Sequence, residues 1–153
     1  MKRILKYIVI AVAVIFVAIQ FVRVDRTNPP IDPTLSIEAH MIVPPDVQMV
    51  LARSCSDCHS HKTVYPWYTN VAPVSWWMRD HIDHGRSHLN FSEWGKLDAA
   101  GSEHKLEEIC EEIRDKKMPL PSYTWGHSDA VLSDSEIASI CAWAGLGLSN
   151  PMK

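Results

Sequence analysis

The chain has 153 residues, 46% of them hydrophobic, with six Gly and ten Pro; that is one compact domain plus an appendage, which excludes a large multidomain enzyme. Charged residues at 22%, beside six Trp, four Tyr and three Phe, exclude intrinsic disorder, because this much apolar surface offsets the entropy of ordering. Lys2, Arg3, Lys6 and Arg23 make residues 1–23 purely basic and leave 11 Lys and Arg against 18 Asp and Glu beyond them, a balance of −7; a domain this acidic is a poor candidate for holding a phosphate backbone, and nucleic acid drops out as a partner.

From Tyr7 to Val22 the chain is apolar except for Gln20, and Lys2, Arg3 and Lys6 precede the run. This is the pattern of an export signal. The only Ala-x-Ala triplet near the N-terminus, Ala11 to Ala13, lies inside the run rather than just after it, which favours an uncleaved anchor over a cleaved signal. Residues 1–23 are therefore expected to form one N-terminal transmembrane helix, anchoring the chain in a bacterial inner membrane as a single-pass protein with residue 24 onward on the periplasmic side. Residues 24–45 hold Pro29, Pro30, Pro33, Pro44 and Pro45 and read as a Pro-rich tether, since proline fixes its own φ and stiffens a spacer. The domain proper is expected over 46–148.

Within it the apolar spacing is helical. Val47, Val50, Leu51 and Ser54 fall at i, i+3, i+4 and i+7, a short helix delivering the chain to Cys55. A second helix is expected from Pro73 to about Gly85, where glycine should stop it. Asn90 to Trp94 reads as a short turn, and Ser102 as the cap of a helix with Leu106, Ile109, Cys110 and Ile113 on its apolar stripe. The last helix opens on a capping box, Ser133 and Glu136, with a staple between Leu132 and Ile137, and buries Ile137, Ile140, Cys141 and Ala144. No run alternates as a strand does, so the class is all-α.

Cys55-Ser56-Asp57-Cys58-His59 has the spacing of covalent haem c attachment. Two thiols on one helical turn reach two vinyl groups along one porphyrin edge, and the next residue presents its imidazole to the iron; Cys55 and Cys58 would form the thioethers and His59 the proximal iron ligand. Zinc would want a second close pair of ligands, and a thioredoxin-like dithiol a βαβ setting; neither is present in the sequence. For the distal iron ligand Met118 ranks first, because Lys116-Lys117-Met118-Pro119-Leu120-Pro121 is a rigid non-helical segment between two helices. Met49 and Met78 on predicted helices and Met152 in the tail rank lower, as does bis-His ligation through His81 or His61. His81, His84 and His88 would share one face only if their helix passed Gly85. Tyr65, Trp67, Tyr68, Trp76 and Trp77 are candidates for the haem wall, and the acidic row of Glu103, Glu107 and Glu111 reads as a solvated face or a dock for a basic redox partner. Cys110 and Cys141, each on an apolar stripe, leave two readings open: a disulfide between helices, or two buried thiols.

The attachment motif, with Tyr65-Pro-Trp-Tyr68, Ala72-Pro-Val-Ser-Trp-Trp77, Asn90-Phe-Ser-Glu-Trp94, Met118-Pro-Leu120 and Ser122-Tyr-Thr124, resembles the small bacterial membrane-anchored haem-binding domain family, and more broadly the c-type cytochromes. The resemblance implies one covalent haem c and an electron-transfer or haem-binding role. The expectation is thus a cytochrome c-like helical domain around one haem that passes single electrons and is not an enzyme; a peroxidase-like haem enzyme or a haem-based sensor is the alternative.

Overall fold

The structure, a computed structural model, describes residues 1–149 and their side chains to residue 145. Met152 lies outside the described residues. The described chain is all-α: α1 (Lys2–Ile19), α2 (Ile37–His40), α3 (Pro45–Ser54), α4 (Ser56–His59), α5 (Val74–His88), α6 (Ala99–Arg114), α7 (Pro121–Thr124) and α8 (Asp134–Ser149), with 3-10 turns at Trp67–Asn70, Phe91–Lys96 and Ser128–Ala130.

The expected transmembrane helix is corrected. Among the described residues no helix is long and apolar enough to cross a membrane. Helix α1 has 18 residues and includes Lys2, Arg3 and Lys6, so its uninterrupted apolar part runs only from Tyr7 to Ile19, about 20 Å at 1.5 Å per residue against a hydrocarbon core of about 30 Å. Beyond Ile19 the chain bonds to the domain. The Gln20 amide donates to the Ala72 carbonyl (3.0 Å) and accepts from the Ala72 N–H (2.9 Å), and the Trp76 indole donates to the Val22 carbonyl (2.8 Å).

Residues 24–45 run along the domain instead of standing free of it. Ile37 in α2 is 3% exposed and belongs to the core. Asn28 donates to the Thr63 carbonyl (2.9 Å), and Arg79 and Arg86 reach back to the Asp25 carbonyl and the Asn28 side chain. Proline removes backbone donors but leaves every carbonyl, and side chains of the domain bond to the carbonyl of Asp25 and the polar side chain of Asn28, just before the first proline.

The core gathers Val47, Val50 and Leu51 of α3, Leu106, Ile109 and Ile113 of α6, Ile140, Trp143 and Ala144 of α8, and Phe91 and Trp94. The α3 and α6 residues, with Ile140 and Ala144, are the stripes read at helical spacing; Trp143, Phe91 and Trp94 join them only in the fold. Helices α6 and α8 are joined by the Cys110–Cys141 disulfide, which resolves that pair. Helix α8 opens on the capping box: Ser133 N–H donates to Glu136 Oε2 (2.8 Å) while Glu136 N–H donates to Ser133 Oγ (3.3 Å). Two boundaries differ from expectation. Helix α6 starts one turn before Ser102, because Asp98 is the cap and accepts from Gly101 N–H (2.7 Å). Helix α5 passes Gly85 and ends at His88, for a reason that belongs to the site.

Candidate functional site: a cavity behind the Cys-x-x-Cys-His turn

Helix α3 ends at Ser54, and the chain turns through Cys55 directly into the single turn of α4. His59 N–H closes that turn on the Cys55 carbonyl (2.9 Å), so Cys55, Cys58 and His59 stand together on it. All three line a cavity of about 570 Å³, within the roughly 300–1,000 Å³ of sites that enclose a cofactor. Its apolar wall includes Leu89, Phe91, Ile109, Ile113 and Leu120, and Met118 and Tyr123 also border it.

Gly85 explains why α5 can lie so close. A Cβ at Gly85 would sit 2.7 Å from the Cys58 carbonyl oxygen and 3.1 Å from Cys58 Cβ, so only glycine permits this approach. The approach brings carbonyls to His59. Its Nδ1–H donates to the carbonyls of Gly85 (3.0 Å) and Leu89 (3.1 Å). Because carbonyls only accept, Nδ1 holds the proton; burial also lowers the pKa of the ring, so Nε2 is left with its lone pair and turned away from α5. A neutral imidazole oriented by backbone acceptors is the state a metal ligand requires.

Burial, reinforced by the neighbouring Cys58, pushes the Cys55 thiol up to about 12. Burial and the Asp57 carboxylate push Cys58 up to about 11. Both are neutral thiols at neutral pH, so they share the turn without mutual repulsion. Asp57, between them, accepts from the Val64 N–H through Oδ1 (2.8 Å) and from the Tyr123 hydroxyl through Oδ2 (2.8 Å). Burial, and then the Asp57 partner, raise the Tyr123 phenol above its ordinary value.

Of the residues expected in the site, Cys55, Cys58, His59 and Met118 meet at the cavity, while Tyr65, Trp67, Trp76 and Trp77 are not among its lining residues. Trp67 is 78% and Trp77 44% exposed, and Trp76 is engaged with Val22. They cluster in sequence without lining the cavity, and Trp77 packs instead on the ring of His81, a lining residue (centroids 4.3 Å apart). His61 is buried with both nitrogens occupied, Nδ1–H toward the Pro30 carbonyl (3.3 Å) and Nε2 accepting from the Asn90 amide (2.9 Å), so it is no iron ligand. His81, His84 and His88 do line the cavity, on the helix that His59 backs onto. His127 donates to the Tyr123 carbonyl (3.1 Å) and stacks on the Tyr123 ring, a local role. Two site residues escape a reading of the sequence, Gly85 and Leu89, whose contacts arise only by tertiary approach; Tyr123 figures there only within the Ser122-Tyr-Thr124 stretch, with nothing local to tie it to Asp57.

The donor set fits a haem. A largely apolar cavity of cofactor size, two neutral thiols on its edge and an imidazole with a free Nε2 suit a flat apolar macrocycle with a central metal. No curated protein and no solved structure matches this chain. The family model described as haem-binding domain matches residues 14–145, from within α1 through most of α8. That match spans both sides of the cavity and the motif between them, and the chain belongs to the haem-binding domain family.

Proposed function

We propose that the haem is attached covalently through Cys55 and Cys58, ligated by His59 and Met118, and used to carry single electrons, as in a monohaem c-type cytochrome. The observation that carries this reading is that both cysteines, the oriented His59 and Met118 border one cavity. When bound, haem supplies an iron that takes up and returns one electron. His59 would hold the iron through Nε2, with its ring fixed by Gly85 and Leu89. Met118, on the segment between α6 and α7, also borders the cavity and would be the second iron ligand. Two protein ligands, His59 and Met118, would suit a carrier, since an iron so held would change little between oxidation states and would not be open to peroxide, as an enzyme's would have to be.

Among the described residues Lys105 is the one Lys or Arg in the cavity wall; it pairs with Glu108 and is the cation that would meet a haem carboxylate. Asp80, Glu108 and Glu112 also border the cavity, which suits a basic redox partner approaching that edge. Export to an oxidising compartment is supported by the basic-then-apolar N-terminus and by the Cys110–Cys141 disulfide.

Spectroelectrochemistry of the purified protein tests the reading. A reversible one-electron wave, with six-coordinate low-spin spectra in both states, supports the carrier. A vacant sixth position with sustained turnover of peroxide and an added donor would replace it with a haem enzyme.

A further inference from the structure

The segment that presents Met118 is short, stiff and fixed at both ends. At its near end α6 closes with Lys116 in the left-handed region (φ 57°), and the amides of Lys117 and Met118 both donate to the Glu112 carbonyl (3.0 and 3.1 Å). Pro119 and Pro121 then stiffen the chain into α7. At its far end the Tyr123 hydroxyl donates to Asp57 Oδ2 at 2.8 Å. Asp57 is no loose partner: Val64 N–H holds its other oxygen, and the Thr63 hydroxyl donates to its carbonyl (2.6 Å). It also stands on the same single turn as His59, between the two cysteines. One charge-assisted hydrogen bond therefore links the segment bearing Met118 to the turn bearing His59.

We propose that Tyr123 and Asp57 are positioning residues that hold Met118 against the haem face opposite His59. This rests on the reading of Met118 as the distal ligand. A thioether is a weak ligand on a segment that could otherwise swing about Met118, and the bond to Asp57 holds that swing shut. The hydroxyl's other neighbour, the Arg53 carbonyl at 3.5 Å, is a much weaker tie, and the stacking of Tyr123 on His127 (ring centroids 4.2 Å apart) does not involve the hydroxyl, so loss of the Asp57 bond would loosen the segment without unseating the ring.

The test titrates imidazole into the ferric, haem-loaded protein and records the charge-transfer band that a methionine–iron bond gives. Tyr123→Phe, which keeps the ring and loses only the hydroxyl, should weaken that band and bind imidazole about tenfold more tightly or more, as expected from the loss of one hydrogen bond to a charged group. Asp57→Ala should reproduce the gain from the other side of the bond, and Asp57→Asn, which keeps an oxygen acceptor, should return most of the wild-type behaviour. Met118→Ala sets the ceiling. If Met118→Ala binds imidazole far more tightly than wild type while Tyr123→Phe and Asp57→Ala match wild type, the positioning role is overturned and the ligand stands. If Met118→Ala itself matches wild type, both fall together.

Discussion

His59 and Gly85 meet where α4 crosses α5: the imidazole Nδ1–H donates to the Gly85 carbonyl at 3.0 Å, and the missing Cβ of Gly85 is what lets the helix come that near to Cys58. The two are one device. A glycine in a helix interior ordinarily weakens it by about 1 kcal/mol relative to alanine; here that weakness accompanies a backbone acceptor that fixes the tautomer of His59.

Gly85→Ala is therefore predicted to destabilise the protein, against the usual sign for this exchange in a helix. The new methyl would meet backbone at 2.7 Å, which cannot rotate aside, and overpacking of this kind costs about 1–3 kcal/mol. Urea unfolding checks it; a variant as stable as wild type or more stable would show that α5 can retreat.

Met118→Ala is predicted to leave haem content unchanged and to turn a six-coordinate ferric spectrum into one that takes added ligands readily. Unchanged ferric and ferrous spectra would direct the search for the distal ligand to His81, which also lines the cavity.

The disulfide closes a separation of 31 residues and ties α6 to α8. Loop-closure entropy predicts that removing it costs about 2–4 kcal/mol. Cys110→Ala/Cys141→Ala should therefore melt well below wild type, and labelling in denaturant without reductant should find neither thiol of this pair reactive. Two reactive thiols would refute the bond.

Glu136 gives a pH dependence with a definite sign. The Ser133 N–H first, and then Arg53 at 2.8 Å, hold its carboxyl at about 2, below the ordinary 4.5. A carboxyl depressed in the folded state stabilises fully above its unfolded value, so this contribution is intact above pH 4.5 and is lost as pH falls toward 2. Glu136→Ala, which removes half the capping box, is predicted to cost about 1 kcal/mol at neutral pH and to converge with wild type in acid. A constant difference down to low pH would contradict it.

What could be read from the sequence was local. The α8 capping box needs only Ser133 and Glu136 three residues apart, and the stripe Leu106, Ile109, Cys110, Ile113 needs only helical spacing; both stand in the fold. The attachment motif is local too, and its three chemical residues share one turn. What escaped depended on distant segments. Gly85 reads as a helix stop until Cys58 is packed against it, and Tyr65, Trp67, Trp76 and Trp77 read as a cofactor wall although none of them lines the cavity in the fold, while Trp94 and Trp143 become the core tryptophans. The apolar N-terminus reads as a span because a run of residues does not reveal that Gln20 and Val22 bond to the domain.

Covalent attachment of the haem through Cys55 and Cys58 is tested most directly by intact mass after denaturation and acid-solvent extraction. The predicted result is a mass above the polypeptide by one haem, retained through extraction, with the Cys55→Ser/Cys58→Ser variant losing it. Haem that extracts completely from the wild-type chain would contradict covalent attachment and reduce the site to a non-covalent haem pocket.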